Sequence, residues 1–556
     1  MKYNVPVLFM IWLLTNTSLF AQSIFTIRQL QLLDSISTQD VPPSAPGIAT
    51  AIIKDGKVVY EKYAGYADLG DSTLINKSTR FNIASNGKQF TALAILSLIQ
   101  NKKLKLSDDI RTFFPALFPK IKHRITIQSL LNHTSGIRDC YDLWSLQGYT
   151  WWKKSFSNND VLKLMEQQED LNFIPNTKYL YSNTNYILLA LLIEKVSGKS
   201  FVEYTNSMFG QLNMPNTSFE ADYTKIRGPI ARAYFNFGTW TTYNWIWNVC
   251  GDGNIFSTLE DQIEWEKIIQ RSASAEVSAS VIKKSQTNMK GSSFKNYGYG
   301  LEFGNYKGLS YTFHEGATGA WKATVTRFPA QKTSIITLTN TGKSIPSMQT
   351  RQMADIVFDL KPDNAYIRTK PYSIGKFVSE NEVIGTYFTE SDFAFQFIQK
   401  DNKLFLRRSG RNDVELEREA ANIFRQKFDT LFKQEFTTGA DGRLLVTAYY
   451  INHAPYTLIK QSETLSGFNF HSLDGFYSNT ETGAKLEIHY RENNQYKISI
   501  AGEEYTTNAF LLTPEKLMAE NYTISFEVND GTVNAIYLNG DRIKNIKFIR
   551  LKQPIK

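Results

Sequence analysis

An unassisted serine hydroxyl is a poor nucleophile and needs a group that takes its proton. Ser85-Asn86-Gly87-Lys88 offers such a pair. From Ser85 to Ile99 the chain is apolar nearly all round, which predicts a buried helix. At the start of that helix Ser85 and Lys88 lie one turn apart on one face, so the amine can reach the hydroxyl. The helix N-terminus offers positive potential to developing negative charge, and a partly desolvated lysine can stay neutral enough to accept a proton. Ser292–Lys295 and Ser373–Lys376 share the spacing but lack the helix. The bland alternative is a capping serine followed by a surface lysine.

Two further elements complete a constellation. Tyr181-Ser182-Asn183 directly precedes an apolar helix over Tyr186–Val196, closed by Gly198. A phenol there could act as general base and return the proton to a leaving group, while Asn183 could hold a substrate amide through donor and acceptor together. His314-Glu315-Gly316 ends a strand-like run, Leu309–Phe313. Gly316 would let a substrate carbonyl approach the backbone, and the amides of Ala317 and Ser85 could form an oxyanion hole. Read blandly, these are a core tyrosine, a capping asparagine and a structural histidine.

These residues have to be positioned by a mixed α/β region. Ile48–Ile53 and Val58–Tyr63 flank Asp55-Gly56 as a β-hairpin, and Ala323–Phe328 with Ser334–Leu338 predicts a second. Ser257 with Glu260 offers a capping box for a helix carrying Ile263, Trp265, Ile268 and Ile269. Strands at both ends with helices between predict an antiparallel sheet flanked by helices over residues 22–365. Beyond about residue 370, alternating aromatic strands take over. Gly385-Thr386-Tyr387 recurs as Gly475-Phe476-Tyr477, Asp441-Gly442 as Asp530-Gly531, and Asp401-Asn402-Lys403 as Asn493-Asn494-Gln495. The shared offset predicts two copies of one small all-β, barrel-like module, over 370–462 and 463–556.

In order and spacing, Ser85-x-x-Lys88, Tyr181-x-Asn183 and His314-x-Gly316 resemble the serine β-lactamase-like family. That family includes class C β-lactamases, D-alanyl-D-alanine carboxypeptidases, D-aminopeptidases and related esterases. Leu130–Gly136 (LLNHTSG) and Gly251-Asp252-Gly253, leading to Ser257-Thr258 and Asp261, are similar to its supporting segments, so His133 reads as loop structure. The resemblance covers roughly residues 25–360. It implies a β-lactamase-like α+β catalytic domain and hydrolysis of amides or esters through an acyl-Ser85 intermediate. It further implies Ser85, Lys88 and Tyr181 as catalytic residues, and Asn183, His314, Gly316 and Ala317 as substrate-binding. No Lys-Thr-Gly or Lys-Ser-Gly occurs, which favours the peptidase, aminopeptidase and esterase branches. A β-lactamase proper and a catalytically silent penicillin-binding-type sensor are the alternatives. The paired C-terminal modules look similar to the barrels of D-aminopeptidases, where they could restrict access to Ser85 or tether the enzyme.

No cofactor is expected, and no dense His/Cys/Asp cluster of the kind a metal requires stands out. The formal net charge is +9, but the basic residues are scattered and read as solvated faces, which argues against a nucleic-acid partner. A small-molecule or peptide substrate is the expected partner, with cell-wall fragments among the candidates. Lys2, the apolar run Val5–Leu14 and the small residue Ala21 match a cleavable signal over residues 1–21. That pattern predicts export to the periplasm or beyond, with no membrane span after cleavage. Cys140 and Cys250 could pair or stay free.

Overall fold

The computed structural model describes residues 24–552, apart from 151, 272–275, 290–293, 295, 361–374, 390–393, 408–411, 451–452, 462–466, 493, 501–504, 520–521 and 530. The expected signal at 1–21, the lysine of Ser292–Lys295 and both inter-module boundaries lie outside the described residues.

The N-terminal region is built on a six-stranded antiparallel sheet. In spatial order its strands are Glu302–Tyr306, Leu309–Thr318, Trp321–Phe328, Thr333–Thr339, Ile48–Lys54 and Lys57–Ala64. Chain ends that are far apart in sequence therefore meet at the centre, with Ile52 opposite Ile335. Both expected hairpins form, and the Leu309–Thr318 strand runs through His314-Glu315-Gly316 rather than ending before it. The helix Asn183–Ser197 ends on Gly198 at φ +74°, a left-handed conformation that glycine adopts without strain. One expected cap is displaced by a residue. The helix Leu259–Arg271 is opened by Thr258, whose hydroxyl accepts from the amide of Asp261, while Ser257 closes a strand and hydrogen-bonds to Thr217.

The C-terminal half forms two closed eight-stranded barrels, Gly385 to Lys460 and Gly475 to Arg550. The repeated turns keep their backbone chemistry, since Gly442 and Gly531 both sit at positive φ, as do Asn402 and Asn494. The second barrel is no loose appendage. Its interior, including Leu473, Tyr477 and Phe548, belongs to the same contiguous apolar cluster as the core of the N-terminal region. Arg138 of that region, almost wholly buried, is paired with Glu481 of the barrel at 2.6 Å. The first barrel docks through a buried Arg351–Asp429 pair at 3.2 Å. Cys140 and Cys250 are both buried and unpaired.

Candidate active site

Ser85 lies in a single 3-10 turn, Ala84–Gly87, which runs directly into the buried helix Lys88–Gln100. Ala84, immediately before it, is held at φ +49°, a conformation an L-residue rarely adopts outside functional turns. Three glycines allow neighbouring backbone to close on this turn. A Cβ at Gly316 would stand 2.2 Å from the carbonyl oxygen of Ile83, and one at Gly253 would stand 3.2 Å from the carbonyl carbon of Ala84. At Gly300 it would stand 2.6 Å from the backbone of Lys88 and Gln89. Gly316 is thus required for packing the sheet edge on the Ser85 turn, a reason different from the substrate approach the sequence suggests. Asn86 completes the clamp by donating to the carbonyl of Ala323 at 3.1 Å.

Lys88 is fully buried. Its Nζ donates to Ser85 Oγ at 3.1 Å, Asn183 Oδ1 at 2.9 Å and the carbonyl oxygen of Asp252 at 2.6 Å. Burial pushes its pKa down to about 8, partly opposed by the Asp252 carboxylate and assisted by Arg542. The geometry has a direct chemical consequence. A neutral amine keeps two N–H groups for Asn183 and Asp252 and turns its lone pair to Ser85, where the ammonium holds its third N–H.

Tyr181 stands against the same pair, with Lys88 Nζ 4.8 Å from its ring centroid. Burial raises the phenol, while Arg542 and the Ser85 hydroxyl lower it. Asn183 is the first residue of its helix and is fixed by Asp139, whose carboxylate accepts from the Asn183 amide at 2.6 Å and from its Nδ2 at 2.9 Å. Asp139 also caps the Cys140–Leu146 helix by accepting from the amide of Tyr141. Asn183 Oδ1 is therefore aimed at Lys88 in this state.

His314 is buried with both ring nitrogens engaged. Nδ1 donates to the Glu315 carbonyl at 2.9 Å, which leaves Nε2 to accept from the Tyr297 hydroxyl at 3.0 Å. Burial and Lys88 push its pKa to about 3, so it stands as a neutral, fixed ring on the wall. His133 is structural, as read from the sequence: its Nδ1 accepts from the amide of Ser182 and from Asn185.

Ser85, Tyr181, Asn183, His314 and Ala317 all line one cavity of about 1010 Å³. Lys88 and Gly316 lie behind its wall. One side is aromatic, with Tyr141, Trp144, Phe156 and Trp247 packed together. Glu302, Glu315 and Asp541 also line the cavity. Burial and the neighbouring Glu315 raise Glu302 to about 8. Tyr456 from the first barrel and Asp541 and Arg542 from the second complete the lining. Both modules therefore reach the cavity that holds Ser85. Asp252 lies in the Gly251-Asp252-Gly253 segment singled out in the sequence, whereas Asp139, Glu302 and Arg542 escape sequence reasoning because each arrives from a loop or strand edge with no periodic signature. Of these three only Asp139 leaves a trace, as an N-cap residue before a short helix. Among the described residues no cluster of His, Cys, Asp and Glu could hold a metal.

A six-stranded antiparallel sheet with helices, a buried Lys88 against Ser85 and two appended barrels together define a β-lactamase-like protein. The chain belongs to the Beta-lactamase family, whose profile matches residues 37–358, more than half of its length. It is 36% identical over 200 residues to Protein flp of Staphylococcus aureus (strain MRSA252), across 35% of this chain and 39% of that protein. It is 29% identical over 284 residues to D-aminopeptidase of Brucella anthropi, across 50% and 52%. The chain thus spans about half or less of the length of these curated relatives. Among solved structures, the octameric penicillin-binding protein homologue from Pyrococcus abyssi aligns with 78% of this chain and 100% of its own. Its TM-score is 0.56 at 23% identity. The D-amino acid amidase from Ochrobactrum anthropi SV3 aligns over 60% and 98%, with a TM-score of 0.51 at 22% identity. At such identities these two likenesses speak for the fold.

Proposed function

We propose that this chain is an exported serine hydrolase that cleaves amide or ester bonds through an acyl-Ser85 intermediate. The observation that carries the reading is the fully buried Lys88 amine, 3.1 Å from Ser85 Oγ and with its other two donor directions already occupied. In acylation the neutral Lys88 takes the Ser85 proton as Oγ bonds to the acyl carbon. The leaving amine or alcohol then receives a proton across Lys88 and Tyr181 as its bond to that carbon breaks. The amides of Ser85 and Ala317 face the developing oxyanion. Water repeats the sequence in reverse and frees the acid.

The lining supports a choice of substrate. The aromatic wall suits a large apolar or aromatic side chain, and the carboxylates of Glu315 and Asp541 in the lining disfavour a substrate carboxylate. Neutral or amine-bearing acyl donors follow, in keeping with the likeness to D-aminopeptidase. A panel of D- and L-phenylalanine amides, D-alanyl-D-alanine peptides, short p-nitrophenyl esters and a chromogenic cephalosporin tests this. Amides or esters should turn over, with the β-lactam a slow acylator at best. Cephalosporin hydrolysis on the order of 10⁴ M⁻¹s⁻¹ or more would overturn the preference.

A further inference from the structure

Arg542 stands on the hairpin connection of the second barrel, more than 350 residues from Tyr181 in sequence, yet its guanidinium lies 5.0 Å from the Tyr181 ring centroid. Two anchors hold the loop by its backbone: the Arg542 amide donates to Asp142 at 2.9 Å, and its carbonyl accepts from Asn172 Nδ2 at 3.0 Å and from the amide of Asp139 at 3.3 Å. The side chain is left to face the cavity, with the carboxylates of Asp139 at 4.0 Å and Asp541 at 3.7 Å. A guanidinium keeps its charge at every working pH.

We infer that Arg542 supplies the permanent positive charge beside Tyr181 that the His314 position does not, and thereby sets the pH range in which the Ser85 proton can be taken. The inference rests on the acyl-Ser85 reading above. Two groups could have balanced a developing phenolate from the strand side or the loop side, and neither is charged. Both ring nitrogens of His314 are committed to hydrogen bonds, and His133 is buried with Nδ1 accepting from a backbone amide, so both rings are neutral. Lys88 is the other cation near the ring, but its charge comes and goes, gained with the Ser85 proton and lost as that proton is passed on. Asp252 opposes the phenolate, and Glu302 does so only once it ionises near pH 8, while Tyr186 and Tyr297 pack on it as neutral phenols. Arg542 is therefore the fixed cation in this shell, and it acts on both proton carriers in one direction. A nearby positive charge disfavours the Lys88 ammonium and favours the Tyr181 phenolate, so it lowers both. Arg542 is a positioning residue of the proton-transfer apparatus, held in place by a separate barrel.

The test reads the rate of Ser85 modification by a small fluorophosphonate against pH, in the full-length chain. In that reaction the Ser85 O–H bond breaks, an O–P bond forms and fluoride leaves, so no acyl-donor recognition enters. For Arg542→Gln the acid limb should move upward by on the order of one pH unit, with about a tenfold loss of rate at pH 7. Arg542→Lys should restore most of both. The backbone anchors remain in both variants, and melting curves check that the barrel stays docked. An unchanged acid limb in Arg542→Gln with a lower rate or melting temperature would make the side chain structural and overturn the inference. A limb that stays put while KM rises only for carboxylate-bearing acyl donors would make Arg542 a substrate anchor and overturn it equally. Failure of the unaltered protein to label at all would refute the acyl-Ser85 reading instead.

Discussion

Replacing Gly316 by alanine tests how the site is built. The added Cβ would meet the Ile83 carbonyl oxygen at 2.2 Å, its carbon at 3.1 Å and Asn86 Nδ2 at 3.0 Å. Carbon and carbonyl oxygen rest roughly 3.3 Å apart or more, so sheet edge and Ser85 turn must separate by about 1 Å. Neither partner is a flexible side-chain end. Ile83 precedes the strained Ala84, and Asn86 is tied to Ala323 on the next strand. Displacing a reacting group by about 1 Å costs roughly a hundredfold in rate, and overpacking costs about 1–3 kcal/mol in stability. Gly316→Ala should therefore lose about two orders of magnitude in kcat/KM and in fluorophosphonate labelling, with a lower melting temperature. Gly342→Ala is the control, because its Cβ would make only an ordinary contact with Ala320 at 3.8 Å. If Gly316→Ala matched the unaltered protein in rate and melting temperature, the clamp would be refuted.

The remaining expectations concern protons and support. If the neutral Lys88 accepts the Ser85 proton as proposed, labelling and turnover should rise with pH through about 8; a rate independent of pH between about 6 and 9 would count against Lys88 as the acceptor. Asp139→Asn places an amide against the Asn183 donors at 2.6 and 2.9 Å, so it should destabilise the protein by about 1–3 kcal/mol and slow turnover. Equal activity and melting temperature would show that Asn183 is held otherwise. Removing everything after about residue 360 should abolish Ser85 labelling or solubility, not merely broaden the substrate range. The deletion strips the Arg138–Glu481 pair, the Asp139–Arg542 backbone bond and part of the shared apolar cluster. A folded, reactive truncation would show that the barrels only gate access.

What was legible in the sequence follows the physics of local pattern. Ser85 and Lys88 declare themselves through one helical turn and a long apolar run, and Tyr181 through the helix it precedes. The duplicated barrels show through positive-φ turns, because Gly442 and Gly531 keep a conformation that few residues tolerate. The supporting shell left a weaker mark, in the Gly251-Asp252-Gly253 segment and in Asp139 as a helix cap. Asp139 and Asp252 hold Asn183 and Lys88 from loops more than a hundred residues apart, and their meeting depends on tertiary packing alone. Arg542 is one of several basic residues in its stretch, with Lys544 and Lys547 close by, and becomes part of the site only because the second barrel shares the apolar core of the N-terminal region. Gly316 was found for an incomplete reason, since its backbone crowding on Ile83 involves a segment 230 residues earlier. Ser257 was displaced as a cap by its neighbour Thr258 because both can cap, and the strand Ile255–Ser257 takes the first.

The acyl-Ser85 claim is tested most directly by mass spectrometry of the fluorophosphonate-treated protein and its peptides. A single adduct should map to Ser85, and Ser85→Ala should remove it while leaving the melting temperature nearly unchanged. An adduct on any other residue, or undiminished labelling of Ser85→Ala, would contradict the account.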